Sequence, residues 1–89
     1  MKLYSEIEKT FPTIKKALSQ EDLLIFKNTP KDDLYLYHFG LGLWIRNNLL
    51  FNSESNLYDL FFESGVRCAD DMSDIIIRMF YCHVKNINF

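Results

Sequence analysis

Between Leu34 and Phe51 the apolar residues recur at helical intervals, and no other stretch of the chain restricts the possible folds so strongly. Leu34, His38, Leu41, Ile45 and Leu49 fall on one stripe, Leu36, Leu43 and Leu50 on a second, and Tyr37, Trp44 and Phe51 on a third. A 3.6-residue period predicts a helix, and apolar residues on several of its faces predict that it is surrounded by others. Asp32 and Asp33 stand where the positive end of a helix macrodipole favours acid. The expectation is therefore a central apolar helix over 33–51. At about 18 residues, with His38, Arg46, Asn47 and Asn48 along it, the segment is too short and too polar for a comfortable membrane span.

The same period continues on both sides. Leu3, Tyr4, Ile7 and Phe11 mark one face of a short helix. Pro12 interrupts it and fits the first turn of a second short helix over 13–18, where a missing N–H does no harm. Ser19 followed by Asp22 predicts an N-cap close to a capping box, opening a helix over 21–27 that Asn28-Thr29-Pro30 ends. Asn52-Ser53-Glu54-Ser55 breaks the pattern and supplies caps. Leu57, Leu60, Phe61 and Ser64 mark a further short helix, with Gly65 suited to its left-handed C-terminal position. The last helix starts near Asp70 or Asp71, carries Met72, Ile75, Ile76, Met79, Phe80 and His83 on one stripe, and ends near Lys85. Ile75-Ile76-Ile77 reads as a strand only in isolation. No hairpin signal is present, so the fold class is all-α: a single-domain helical bundle over 1–89 with five to six helices. Aromatic residues at 16% supply the bulk that a core built from 89 residues would otherwise lack.

Charge and cysteine usage narrow the function classes. Ten Lys and Arg against 12 Asp and Glu leave a net charge of −2. A sequence-independent nucleic-acid binder gathers positive charge on one face, and the densest basic cluster here is Lys15-Lys16, so nucleic acid is not expected as a partner. The N-terminal MKLYSEIEK turns polar by its fifth residue and lacks the apolar core of a secretory signal. A cytosolic protein without membrane association is expected. Cys68 and Cys82, with only two His in the chain, predict two reduced, mostly buried thiols rather than a disulfide framework or a zinc site. No cofactor and no metal are expected.

The candidate site lies in the central segment. Gly40 and Gly42 each disfavour a helix by roughly 1 kcal/mol relative to Ala, so something should approach the backbone closely there, a crossing helix or a ligand. This is no phosphate-binding loop, because no P-loop lysine follows and no strand precedes it. His38, Gly42 and Arg46 step by four and share a face, with Asn47 and Asn48 following. The guanidinium of Arg46 is always charged and must find carboxylates or carbonyls if shielded from water; Asp70, Asp71 and Asp74 are the candidates. One reading is an ion pair that docks the central helix on the last one. The other is a recognition site in which His38, Gly40, Gly42, Arg46, Asn47, Asn48, Asp70 and Asp71 face a partner or an anionic ligand. A His, an Arg and a carboxylate together can also serve phosphodiester cleavage, but no nucleophile–base pairing is visible by spacing, so no catalytic residue is expected. His83, near a helix C-terminus whose dipole favours its protonated form, reads as structural. Asp70-Asp71 alone offers too few oxygens for a hard cation and reads as a helix cap.

The run His38-Phe39-Gly40-Leu41-Gly42-Leu43-Trp44-Ile45-Arg46-Asn47-Asn48, with Asp70-Asp71-Met72-Ser73-Asp74-Ile75-Ile76, resembles a family of small bacterial proteins of unknown function. That family carries an HFGxGxWIRNN block followed by DDMSxII. The likeness covers about the last 55 residues, and Phe11-Pro12-Thr13 is similar to the family's opening. Ala69 and Leu49-Leu50 depart from the family pattern. The resemblance implies a bacterial or phage origin and transfers no activity, cofactor or catalytic residue.

Size, acidity and the absence of a catalytic constellation point to a small binding protein whose partner is another protein, with a toxin-neutralising immunity protein as the leading specific form. The alternative is a small-ligand or nucleotide-binding module using His38, Arg46 and the Gly40/Gly42 gap, and the third is a weak hydrolase on the same residues.

Overall fold

Ile7, Phe11 and Ile14, spaced by four and three residues, are all buried, and they hold one continuous helix together across a proline. This helix, α1 (Lys2–Ala17), contains Pro12 in its interior, where a break into two short helices was expected. The reason is phase. Continuing the helix keeps Ile14 on the core face, whereas Pro12 lies on the exposed face and removes only the bond its N–H would have donated to the carbonyl of Glu8. The computed structural model describes residues 2–51 and 55–87, so the cap residues Asn52, Ser53 and Glu54 fall outside the described residues.

Helix α2 (Gln20–Asn28) begins as its sequence predicts. Ser19 is extended at φ −66° and ψ 162°, and its Oγ accepts from the Asp22 N–H at 3.0 Å. At the other end the Thr29 hydroxyl donates to the Ile25 carbonyl at 2.8 Å. Phe26 is its fully buried residue, while Leu24 and Ile25 are exposed.

The expected helix over 33–51 is not a single helix. Lys31–Tyr37 is a 3₁₀ segment, residues 38–40 turn, α3 (Leu41–Ile45) is a short α-helix, and Arg46–Phe51 is a π segment. Pro30 sets the tight start: its carbonyl accepts from the Asp33 N–H at 2.9 Å, three residues on, and the segment closes with the His38 N–H donating to the Tyr35 carbonyl at 3.1 Å. A pitch of three residues per turn does not follow a 3.6-residue stripe. Leu34 is turned inward, and Tyr35 and Leu36 are left in solvent. Of the three expected stripes, the first is buried at Leu34, Leu41, Ile45 and Leu49. Leu36, Leu43 and Phe51, from the other two, are exposed. The wider turn at 46–51 brings the neighbours Leu49 and Leu50 into the core together.

Helix α4 (Leu57–Glu63) ends in a Schellman motif: the Val66 N–H donates to the Phe61 carbonyl at 3.0 Å, the Gly65 N–H to that of Phe62 at 3.1 Å, and Gly65 takes φ +99°. Helix α5 (Ala69–Val84) closes the same way on Asn86 at φ 57°, with Asn86 N–H to the His83 carbonyl and Ile87 N–H to that of Cys82. Ile75-Ile76-Ile77 is helical, as its longer-range period predicts.

The central element is α5 rather than 33–51. It packs against α1, α2, α3, α4 and both irregular segments, burying Met72, Ile76, Ile77, Phe80 and Tyr81. Phe26 and Phe80 meet at 5.5 Å between ring centroids, Phe11 meets Phe80 at 5.8 Å, and Tyr37 meets Phe26 edge-on at 4.9 Å. The described residues form an all-α bundle without strands, and none of their helices is long and apolar enough to cross a membrane. The thiols correct another expectation: Cys82 is buried, but Cys68 is exposed, because it sits in extended backbone just before α5 and outside its buried stripe.

Candidate functional site

Arg46 opens the π segment and its side chain points back into the bundle, leaving the residue 7% exposed. Its Nη1 donates to Ser73 Oγ at 2.9 Å and its Nη2 to the His38 backbone carbonyl at 3.1 Å. Nε lies 3.6 Å from Asp70 Oδ1, within ion-pair reach but longer than a good hydrogen bond. His38 Nε2 is 3.9 Å from the other oxygen of the same carboxylate. Ser73 relays the arrangement to the start of α5, its hydroxyl donating to the Asp70 carbonyl at 3.0 Å. One guanidinium thus ties together the turn after the 3₁₀ segment, the π segment and the first turns of α5.

The glycines divide. A Cβ on Gly42 would stand 3.1 Å from Arg46 Nη1 and 3.2 Å from the Tyr37 carbonyl oxygen, so the close approach at Gly42 is filled by the protein itself. A Cβ on Gly40 would meet nothing within 4 Å, and the space beside it is open.

The structure brings His38, Gly42, Arg46 and Asp70 together. Asp71, Asn47 and Asn48 stand in solvent, and the Asn48 side chain returns to the Trp44 carbonyl at 2.9 Å. Of the three candidate aspartates, Asp70 reaches Arg46. Asp74 pairs instead with Arg78 at 2.9 Å, one helical turn along α5. The Asp70 side chain is 59% exposed, so its attraction for Arg46 is largely screened by water, and the two hydrogen bonds to Ser73 and His38 carry the anchoring. His83 is exposed with its ring 4.7 Å from that of Phe11, a packing position.

Two features escaped the sequence reading. Ser73 is almost fully buried and accepts the strongest contact of Arg46. Tyr81 donates to the Thr29 carbonyl at 2.7 Å, while the Thr29 and Tyr37 hydroxyls meet at 3.2 Å, pinning the end of α2 to α5. Neither partnership leaves a periodic signal.

A separate groove lies beside Gly40. It encloses ≈ 340 Å³ between the end of α1, α2, the 3₁₀ segment and α3, and Leu18, Ile25, Tyr37 and Trp44 form its walls. Among the described residues no group of His, Cys, Asp or Glu is arranged to hold a metal ion.

A family model described as a domain of unknown function (DUF6794) matches residues 5–84, a range that includes α1 through α5 apart from the first residues of α1. No curated protein and no solved structure matches the chain.

Proposed function

The chain belongs to the DUF6794 family, and from that premise and its surface we propose that it is a protein-interaction module whose docking face is the stretch 35–43. The observation that carries this reading is Phe39, a large apolar ring 80% exposed on a turn, flanked in sequence by exposed Tyr35, Leu36 and Leu43. Scattered apolar residues on a surface need no explanation, but aromatic residues are enriched at contact surfaces, and exposed apolar side chains gathered on one short segment support that reading here. The Arg46 cluster supports the reading from behind, since it fixes the backbone of His38 and so the base of the turn that presents Phe39.

Within this reading the net charge of −2 favours a toxin-neutralising immunity protein acting in the cytosol, with no catalytic role and no nucleic-acid partner. The Arg46 donors are engaged inside the protein, which favours the docking role of that cluster over its use for an anionic ligand.

Replacing Phe39 with the photo-crosslinking residue p-benzoylphenylalanine, in cells that make the protein natively, tests the proposal. A discrete adduct with a second protein is expected, and none from the same label at the exposed Glu63 on α4. No adduct at position 39, or equal labelling at both positions, overturns it.

A further inference from the structure

The groove beside Gly40 combines three kinds of surface. Leu18 and Ile25 line it with aliphatic carbon, Tyr37 and Trp44 with aromatic rings, and Asp22 is the one charged residue in its lining. Asp22 is exposed, its backbone N–H donating to Ser19 Oγ, and among the described residues no cation lies within ion-pair distance of its carboxylate. Gly40, exposed at the groove's edge, leaves open space beside it, since a Cβ there would touch nothing within 4 Å.

We propose that this groove is the receiving pocket for an arginine side chain of a basic partner protein. The proposal deepens the protein-interaction reading above and rests on it. An arginine matches each surface in turn. Its methylene stem lies along aliphatic walls while its head stays polar, its guanidinium plane stacks on tyrosine and tryptophan faces, and its fork donates two hydrogen bonds to a carboxylate. A neutral apolar side chain would gain nothing from Asp22 at the rim, and an anionic one would be repelled by it. The groove also adjoins the docking face through Gly40, the next residue after Phe39, so one partner surface spans both. A chain of net charge −2 attracts a basic partner at longer range as well.

Trp44 is the single tryptophan of the chain and reports on the groove directly. The test titrates the isolated protein with N-acetyl-arginine amide and, as the neutral isostere, N-acetyl-citrulline amide, reading Trp44 emission. A saturable change is expected with the arginine compound, with citrulline weaker by about two- to fivefold, the size of a pair with an exposed carboxylate. Asp22→Asn should erase that preference, and Gly40→Leu, which adds bulk to the groove's lining, should weaken binding of both while circular dichroism shows an unchanged fold. No saturable change, equal affinity for citrulline, or a preference that survives Asp22→Asn overturns the proposal; Asp22→Asn alone decides it should Gly40→Leu fail to fold. The titration contains no partner protein. Its failure therefore removes the arginine pocket and leaves the docking face standing, whereas failure of the crosslink at position 39 removes the docking face itself.

Discussion

Arg46 Nη1 and Ser73 Oγ, 27 residues apart in the chain, meet at 2.9 Å in the interior, and this bond joins the π segment to α5. Because the Asp70 carboxylate near them is mostly in water, the arginine is anchored by neutral acceptors more than by its ion pair. Arg46→Ala is expected to destabilise the protein by about 2–3 kcal/mol, the size of lost hydrogen bonds to a buried charged group, and Asp70→Asn by under about 1 kcal/mol. Urea unfolding of Arg46→Ala, Ser73→Ala and the double variant completes the comparison. The two losses should be markedly less than additive, since each removes the same contact.

The two glycines of the central segment predict opposite outcomes. Gly42→Ala forces a Cβ to 3.2 Å from a backbone carbonyl and 3.1 Å from a guanidinium that is itself held, and it should cost about 1–3 kcal/mol, as overpacking does. Gly40→Ala enters open space at a negative φ and should leave stability unchanged or raise it by up to about 1 kcal/mol through the unfolded state. Thermal melts of the two variants separate them by sign.

Pro12 sits on the exposed side of α1 and withholds a helix hydrogen bond from the Glu8 carbonyl. Pro12→Ala restores that donor without touching the core. Stability should rise, by up to about 3 kcal/mol on the helix-propensity difference. A fall in the melting temperature would show that the proline is shaping α1 rather than merely tolerated by it.

Cys68 and Cys82 should differ sharply in accessibility. A chromogenic disulfide reagent added to the native protein is expected to react with one thiol promptly, and with the second only as the protein opens. Cys68→Ser should remove the fast phase, and denaturant should bring the slow one into it.

The parts of the fold governed by local chemistry are the parts the sequence makes legible. Ser19 and Asp22 announce the start of α2, Gly65 the end of α4, and Asp70 and Asp71 the start of α5, because each rule concerns residues within one turn of one another. Periodicity is legible only where the pitch is constant. Between Lys31 and Phe51 the backbone changes from a 3₁₀ to an α to a π pitch, so stripes drawn at 3.6 residues place Leu36, Leu43 and Phe51 inside when they face solvent. At Pro12 the opposite holds: a strong local signal yields to the burial of Phe11 and Ile14 on either side. For the candidate site, the contact of Gly42 with Arg46 follows from the i, i+4 spacing, and that of Arg46 with Asp70 from the need of a shielded guanidinium for acceptors. His38 joins them from the turn through its backbone carbonyl. Ser73 and the Thr29–Tyr81 bond follow from neither rule, since a pairing across 52 residues is set by how the helices dock.

The shortness of the pieces between Lys31 and Phe51 has a kinetic corollary. Helices below about 12–15 residues are marginal alone in water, and the five residues of α3 are far below that. Neither α3 nor the π turn is therefore a place for folding to begin. The middle of the chain is expected to order only once it packs on α5, whose Ser73 completes the coordination of Arg46. Changes at Arg46 should then appear chiefly in how fast the molecule comes apart, and changes at the apolar positions of α5, such as Ile76 and Phe80, in how fast it assembles.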